Sequence, residues 1–205
     1  MANARQFMAA RTAAWANISR SKFVEYISGN GNQYVDTGLL ISGKYRIEMK
    51  AGFDTIPTND TWLIGDWSYS RCFLFGYYEG LRTRVGNDSS TYSADKSFTK
   101  GPHIFKATDT NTFVDDTRGG INWNTLPSTG RKIIIGKSWH VNRSSVKRMF
   151  WYVKIFDPRG NLVRDYKPIR FTNEDGKNEG ALFDVVSGQI FRNEGSDDFG
   201  IGPDL

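Results

Sequence analysis

Cysteine is almost missing from this chain: Cys72 stands alone among 205 residues. No intramolecular disulfide is available, so stability must come from packing, and the chain fits assembly in a reducing cytoplasm. Histidine is nearly as scarce, with only His103 and His140. No His-x-x-x-His, Cys-x-x-Cys or Gly-x-Ser-x-Gly pattern occurs, which removes the common zinc, thiol-redox and serine-hydrolase signatures. No window approaches the roughly 18 consecutive apolar residues of a spanning helix, so the sequence predicts a soluble chain with no membrane partner. Acidic residues are absent from positions 1–24, which carry Arg5, Arg11, Arg20 and Lys22. The formal charge of +5 therefore belongs largely to this arm, and the rest is close to neutral. A nucleic-acid partner for the whole domain loses its footing.

What is present points to short strands. There are 21 glycines and 14% aromatic residues, and long helical periodicities are few. Tyr45, Ile47, Met49 and Ala51 alternate with Lys44, Arg46, Glu48 and Lys50, the pattern of a sheet with one buried and one solvated face. Further candidate strands lie at 23–27, 33–37, 61–65, 71–78, 81–86, 90–94, 102–108, 111–115, 131–137, 147–156, 162–169, 181–185 and 189–193. In the run Arg148 to Phe156, strict alternation puts Trp151, Val153 and Ile155 toward the main core and Phe150, Tyr152 and Phe156 on the other side with Lys154. Residues 3–17 instead read as a short helix, with Ala4, Met8, Trp15 and Ile18 near one face and Arg11 interrupting it. Such a helix is marginal alone and has to dock on something. Arg11 also breaks the apolar core that a secretory signal needs; a mitochondrial transit peptide is the competing reading of the arm. The expected organisation is an arm and linker at 1–22 and one domain at 23–205.

Two segments carry a family resemblance. Near the C-terminus come an Asp-x-x-Gly turn at 157–160, Leu162-Val163-Arg164-Asp165-Tyr166-x-Pro168, a polar loop, and Asp184-x-Val186-x-Gly188-x-x-x-x-Asn193-x-Gly195-x-x-x-Phe199. Near the start, a strand and a polar turn lead into Gln33-Tyr34-x-Asp36-Thr37-Gly38. Together these resemble the concanavalin A-like (laminin-G-like) jelly-roll domains of bacteriophage virion proteins, found also in surface proteins of gut bacteria. The resemblance implies an all-β, two-sheet jelly-roll sandwich with a short N-terminal α-helical arm. It implies a non-enzymatic virion structural protein of capsid-decoration, head-fibre or tail-fibre type, made in the host bacterial cytoplasm. Its partners would be other virion proteins, a capsid or tail scaffold reached through residues 1–18, together with further copies in a homo-oligomer and host-surface glycans. Arg5, Phe7, Met8, Arg11 and Trp15 are the expected anchoring residues, because an acid-free amphipathic segment suits a groove on an acidic scaffold. The alternatives are a free carbohydrate-binding module or surface lectin of a gut bacterium, and a glycan hydrolase.

Hydrolases of this sandwich class need two carboxylates about 5 Å apart for retention, and no Glu-x-Asp-x-x-Glu or close variant occurs. Glu174, Asp175 and Glu179 cluster, but in a Gly-containing loop where a solvated charge run is expected. His103 reads as a satisfied core or edge histidine. No cofactor is expected; calcium is the one metal considered, with Asp197 and Asp198, or Asp115 and Asp116, as hard oxygen donors. Glycan binding needs flat rings for sugar faces and polar groups for hydroxyls, on loops held by a rigid sheet. Two predicted loops supply both: Trp67, Tyr69 and Arg71, with Tyr77 close behind, and Trp139, His140, Asn142 and Arg143. The competing role for these side chains is covering sheet ends or lining a subunit interface.

Overall fold

The structure, a computed structural model, describes residues 19–40, 45–59, 61–68, 71–77, 81–86, 91–94, 99–108, 111–119, 130–137 and 146–205. The predicted helical arm at 1–18 lies outside the described residues. Every regular element within them is a strand. In chain order these are β1 (Ser21–Phe23), β2 (Ile27–Gly29), β3 (Val35–Leu40), β4 (Arg46–Phe53), β5 (Thr61–Ser68), β6 (Arg71–Tyr77), β7 (Leu81–Gly86) and β8 (Thr91–Ala94). They continue as β9 (Gly101–Ala107), β10 (Thr112–Val114), β11 (Thr117–Gly119), β12 (Lys132–Ile135), β13 (Arg148–Phe156), β14 (Leu162–Thr172), β15 (Asn178–Asp184), β16 (Gln189–Phe191) and β17 (Gly200–Ile201).

These strands form two antiparallel sheets, an all-β, sandwich-like arrangement. The larger runs β11-β10-β9-β4-β13-β14-β15-β16, with β1 beside β14 and β2 lying between β13 and β17. The smaller runs β3-β12-β5-β6-β7-β8. One hydrophobic cluster joins them: Ile47, Met49, Phe53, Phe105, Val153 and Ile155 from the larger sheet meet Val35, Leu63, Ile64, Ile133 and Ile135 from the smaller. The alternation of β4 behaves as expected, since Ile47, Met49 and Ala51 are buried and Arg46, Glu48 and Lys50 are not.

Strand β13 is interior, flanked by β4 and β14, but its phase differs from strict alternation. Phe150 pairs with Ala51 and Tyr152 with Lys50, so Trp151 is an extra residue in a β-bulge. Phe150, Val153 and Ile155 therefore face the core, while Trp151 is half-buried on the outer face. The expectation that Trp151 points inward is corrected: one inserted residue shifts the side-chain period by half. N-terminal to the bulge, Arg148 shares the inner side with Phe150 and is only 1% exposed. Its Nε donates to the carbonyl of Trp62 in β5 at 2.9 Å, a link from one sheet to the other. Burial lowers its pKa to about 10.

Part of the segment read as linker is strand. Ser21 already pairs with Phe171, and the amide of Thr172 donates to the Arg20 carbonyl at 3.2 Å. The nominal linker thus contributes a strand to the larger sheet.

Phe150→Ala is expected to cost about 3–5 kcal/mol by emptying a large core site, and Trp151→Ala only about 1 kcal/mol. Denaturant unfolding of both variants checks this; equal losses would return Trp151 to the core.

Candidate functional site

The two segments that carry the resemblance meet in space. Asn193 Oδ1 accepts the amides of Tyr34 at 3.0 Å and Gly195 at 2.9 Å. Its Nδ2 donates to the carbonyls of Gly195 at 3.1 Å and Asp197 at 2.5 Å. The amide of Glu194 donates to the Tyr34 carbonyl at 2.9 Å, so the C-terminal segment is clasped to the N-terminal one through backbone. Gly195 is required by proximity: a Cβ there would lie 1.7 Å from the Asn32 carbonyl oxygen. Asp197 takes a left-handed φ of 64° beside it. Gln33 is buried, and its Oε1 accepts the Asn30 amide at 2.9 Å. Phe199 is buried against Gly180. Lys137 Nζ lies 3.3 Å from the Tyr34 ring centroid, and burial lowers its pKa.

Asp184, the acid of the C-terminal motif, is fully buried and organises the turn after β15. Its carboxylate accepts the amides of Asp165 at 2.8 Å, Val186 at 3.2 Å and Ser187 at 3.2 Å, and the Ser187 hydroxyl at 2.6 Å. These are structural hydrogen bonds that satisfy a buried charge.

Two open clefts, of about 410 and 460 Å³, lie on either side of Arg192. Each acid that combines with a cation there is held by it. Glu179 accepts Arg192 Nη2 at 2.6 Å and Nε at 3.0 Å, and its other oxygen accepts Asn173 Nδ2 at 2.8 Å. Asp198 pairs with Lys177 at 2.5 Å and Asp36 with Lys132 at 2.7 Å. Glu179 thus departs from the solvated loop expected for it. Strand β15 begins at Asn178 and carries its side chain beside Arg192, whereas Glu174 and Asp175 are exposed. Glu179 and Asp198 in the first cleft, and Asp36 in the second, are ion-paired, and Asp197 and Glu194 line the same clefts.

The predicted glycan residues are only partly brought into view. Trp67 and Arg71 fall in β5 and β6, where Trp67 pairs with Cys72 and Ser68 with Arg71. The expected loop Asp66–Arg71 is therefore mostly hairpin strand. Tyr77 closes the far end of β6, about 20 Å along the strand from Arg71, and packs against the main core instead of joining that group. Tyr69, Trp139, His140, Asn142 and Arg143 lie outside the described residues, as do Arg5, Phe7, Met8, Arg11 and Trp15. Sequence alternation missed a different group, Tyr26, Trp151 and Tyr152 on the outer face of the larger sheet; only the cross-strand register reveals it.

His103 is held at both ring nitrogens. Nδ1 meets Asp115 Oδ2 at 2.8 Å, and Nε2 meets the Thr99 carbonyl at 2.9 Å. Asp115 Oδ1 accepts the Ile104 amide at 2.9 Å, so both carboxylate oxygens are engaged in fixing the β10–β11 turn to β9. Among the described residues no group of three or more His, Cys, Asp or Glu is arranged to hold a metal ion.

No family model, curated protein or solved structure matches this chain.

Replacing Gly195 by Ala is expected to cost about 2–3 kcal/mol, because the backbones must separate. Asn193→Ala should cost about 1–3 kcal/mol through unsatisfied amides. Thermal and denaturant unfolding of the two variants measures this; wild-type stability in both would remove the clasp from the fold's requirements.

Burial works against the Asp115 carboxylate, but the hydrogen bonds from His103 and the Ile104 amide, with the charge of His103, hold its pKa below 3.8. A depressed folded value gives stability that is full above the unfolded value and lost as pH falls through the folded one. In His103→Gln the Asp115 titration, followed by carboxyl NMR, is expected to move up toward 3.8. An unmoved titration would show that the pair does not hold this charge.

Proposed function

We propose that this chain is a non-enzymatic structural protein of a bacteriophage virion, of capsid-decoration, head-fibre or tail-fibre type. Its described part is a concanavalin A-like jelly roll, displayed on the arm at residues 1–18. The observation that carries the reading is the clasp: the residues of the two resembling segments, Gln33-Tyr34 and Asn193-x-Gly195, interlock through one side chain and two backbones. A shared architecture explains why those residue types recur together in one order. The passage of the chain between sheets, from β3 to β4, β4 to β5, β8 to β9 and β11 to β12 to β13, is what a jelly roll requires. Display rather than turnover is supported by the sequence, which holds no Glu-x-Asp-x-x-Glu or close variant. Residues 1–18 attach the domain to other virion proteins, and copies associate into a homo-oligomer. Host-surface glycans are bound by the Trp67, Tyr69 and Arg71 segment with Trp139, His140, Asn142 and Arg143.

Mass spectrometry of purified particles tests this directly. The protein is expected at structural stoichiometry in virions, and a variant lacking residues 1–18 is expected to fold with a cooperative thermal transition yet be absent from particles. Protein found only in the free fraction, together with polysaccharide binding, would make it a lectin. New reducing ends released from host polysaccharide would make it an enzyme. Unfolding of the truncated chain would make the arm part of the core.

A further inference from the structure

The bulge in β13 places two consecutive aromatic residues, Trp151 and Tyr152, on the outer face of the larger sheet. Regular alternation would have put one of them inside. Tyr26 adds a third ring, with its centroid 5.3 Å from that of Trp151 and the planes 48° apart. This pair is fixed from behind: the amide of Gly202 donates to the Tyr26 carbonyl at 2.8 Å, and a Cβ at Gly202 would lie 3.0 Å from the Tyr26 ring. Trp151 and Tyr152 on the interior strand β13, with Tyr26 beside them, therefore form a positioned platform.

Three lysines surround it. Lys50 Nζ lies 5.7 Å from the Trp151 centroid, and Lys154 and Lys167 lie 5.5 and 5.3 Å from that of Tyr152. Three acids share the face, and each meets a neighbour on it. Glu25 accepts Trp151 Nε1 at 3.4 Å, Glu48 accepts the Tyr152 hydroxyl at 3.1 Å, and Asp165 meets Lys167 at 3.4 Å. Lys50 and Lys154 rest over ring faces with no carboxylate in ion-pair reach among the described residues. A ring face attracts a cation weakly; Lys50 pairs in register with Tyr152 and Ile104, whereas Lys154 stands between Glu48 and Asp165, so a bound anion gains most at Lys50.

We propose that this face, centred on Trp151 and bounded by Tyr26, Lys50, Tyr152 and Lys154, is a binding site for an acidic polysaccharide. Sugar rings of a uronate chain stack on Trp151 and Tyr26, and their carboxylates meet Lys50 and Lys154. Stacking takes the apolar face of a pyranose, whereas the lysines select for charge and oppose a neutral chain only by offering it nothing. The site lies on the larger sheet, whereas Trp67 falls in β5 of the smaller one. It rests on the reading above only in taking glycans as the class of ligand.

Calorimetric titration of the full chain with oligogalacturonate, its methyl ester and oligomannuronate tests the proposal, at low and at high salt. The charged oligomers should bind, the methyl ester should bind at least about tenfold more weakly, and added salt should weaken the charged complexes as screening predicts. The pair Lys50→Gln with Lys154→Gln should lose about tenfold in affinity for the charged oligomers while keeping the wild-type thermal transition. Trp151→Ala should lose at least about tenfold in affinity for the charged oligomers. Equal affinity for acid and ester, no binding of either uronate, or an unaffected lysine variant overturns the proposal. So does a wild-type dimer that Trp151→Ala dissociates, which gives the face to a second copy of this chain. Presence in virions without uronate binding defeats this inference alone; uronate binding by a protein absent from virions defeats only the virion role.

Discussion

The extra residue in β13 is the constraint on which both faces of the larger sheet depend. In a strand of regular period, every side chain from Arg148 to Phe156 would keep one alternation, and either Phe150 or the pair Val153 and Ile155 would leave the core. The bulge between Phe150 and Tyr152 lets all three stay inside. It also fixes where Arg148 sits. That guanidinium is buried at the edge of the hydrophobic cluster and donates into β5, so the register of one strand governs a link between the sheets. A buried cation is tolerated only when its donors find acceptors, and truncating it would strand the Trp62 carbonyl as well as open a cavity.

The clasp between the chain's two resembling segments is the second constraint, and it follows from different physics. Asn193 supplies both an acceptor and a donor from one amide, which lets a single side chain satisfy backbone groups on two segments 159 residues apart in sequence. Gly195 permits those backbones to approach more closely than any side chain would allow. Asp184 does comparable work within its own turn, taking three amides and a hydroxyl. These residues belong to closure of the domain, so a pattern built from them speaks to architecture before it speaks to ligand.

That distinction sets how much was legible in the sequence. The alternation of Ile47, Met49 and Ala51 located β4 and its buried face, because an isolated regular strand encodes its own orientation. The aromatic run was recognised as a strand for the same reason, but its phase was not: a bulge is defined by the partner strand, and nothing within residues 148–156 marks Trp151 as the inserted one. Glu179 was read with its loop neighbours because the residue that holds it, Arg192, lies beyond the next turn. His103 was legible as a satisfied histidine, though not its partner Asp115, which reaches it from the adjacent hairpin. The predicted glycan residues fared unevenly on similar grounds. Tyr77 is close to Arg71 in sequence but separated from it by the length of an extended strand.

The same geometry bears on where an extended sheet can recognise a partner. Loops offer variety at the cost of ordering, since each residue fixed on binding loses conformational freedom. Side chains on an interior strand are already ordered: the backbone around Trp151 is pinned by β4 on one side and by β14 and β2 on the other. A platform built there gives up less entropy on binding and presents its rings at a spacing set by the pleat. Its drawback is flatness, which limits the area that any one sugar can bury. Charge compensates for this, because Lys50 and Lys154 reach beyond the rings and act over a distance that stacking does not. A repetitive acidic chain suits such a surface better than a single compact sugar, since successive units can engage successive rings and ammonium groups along the strand.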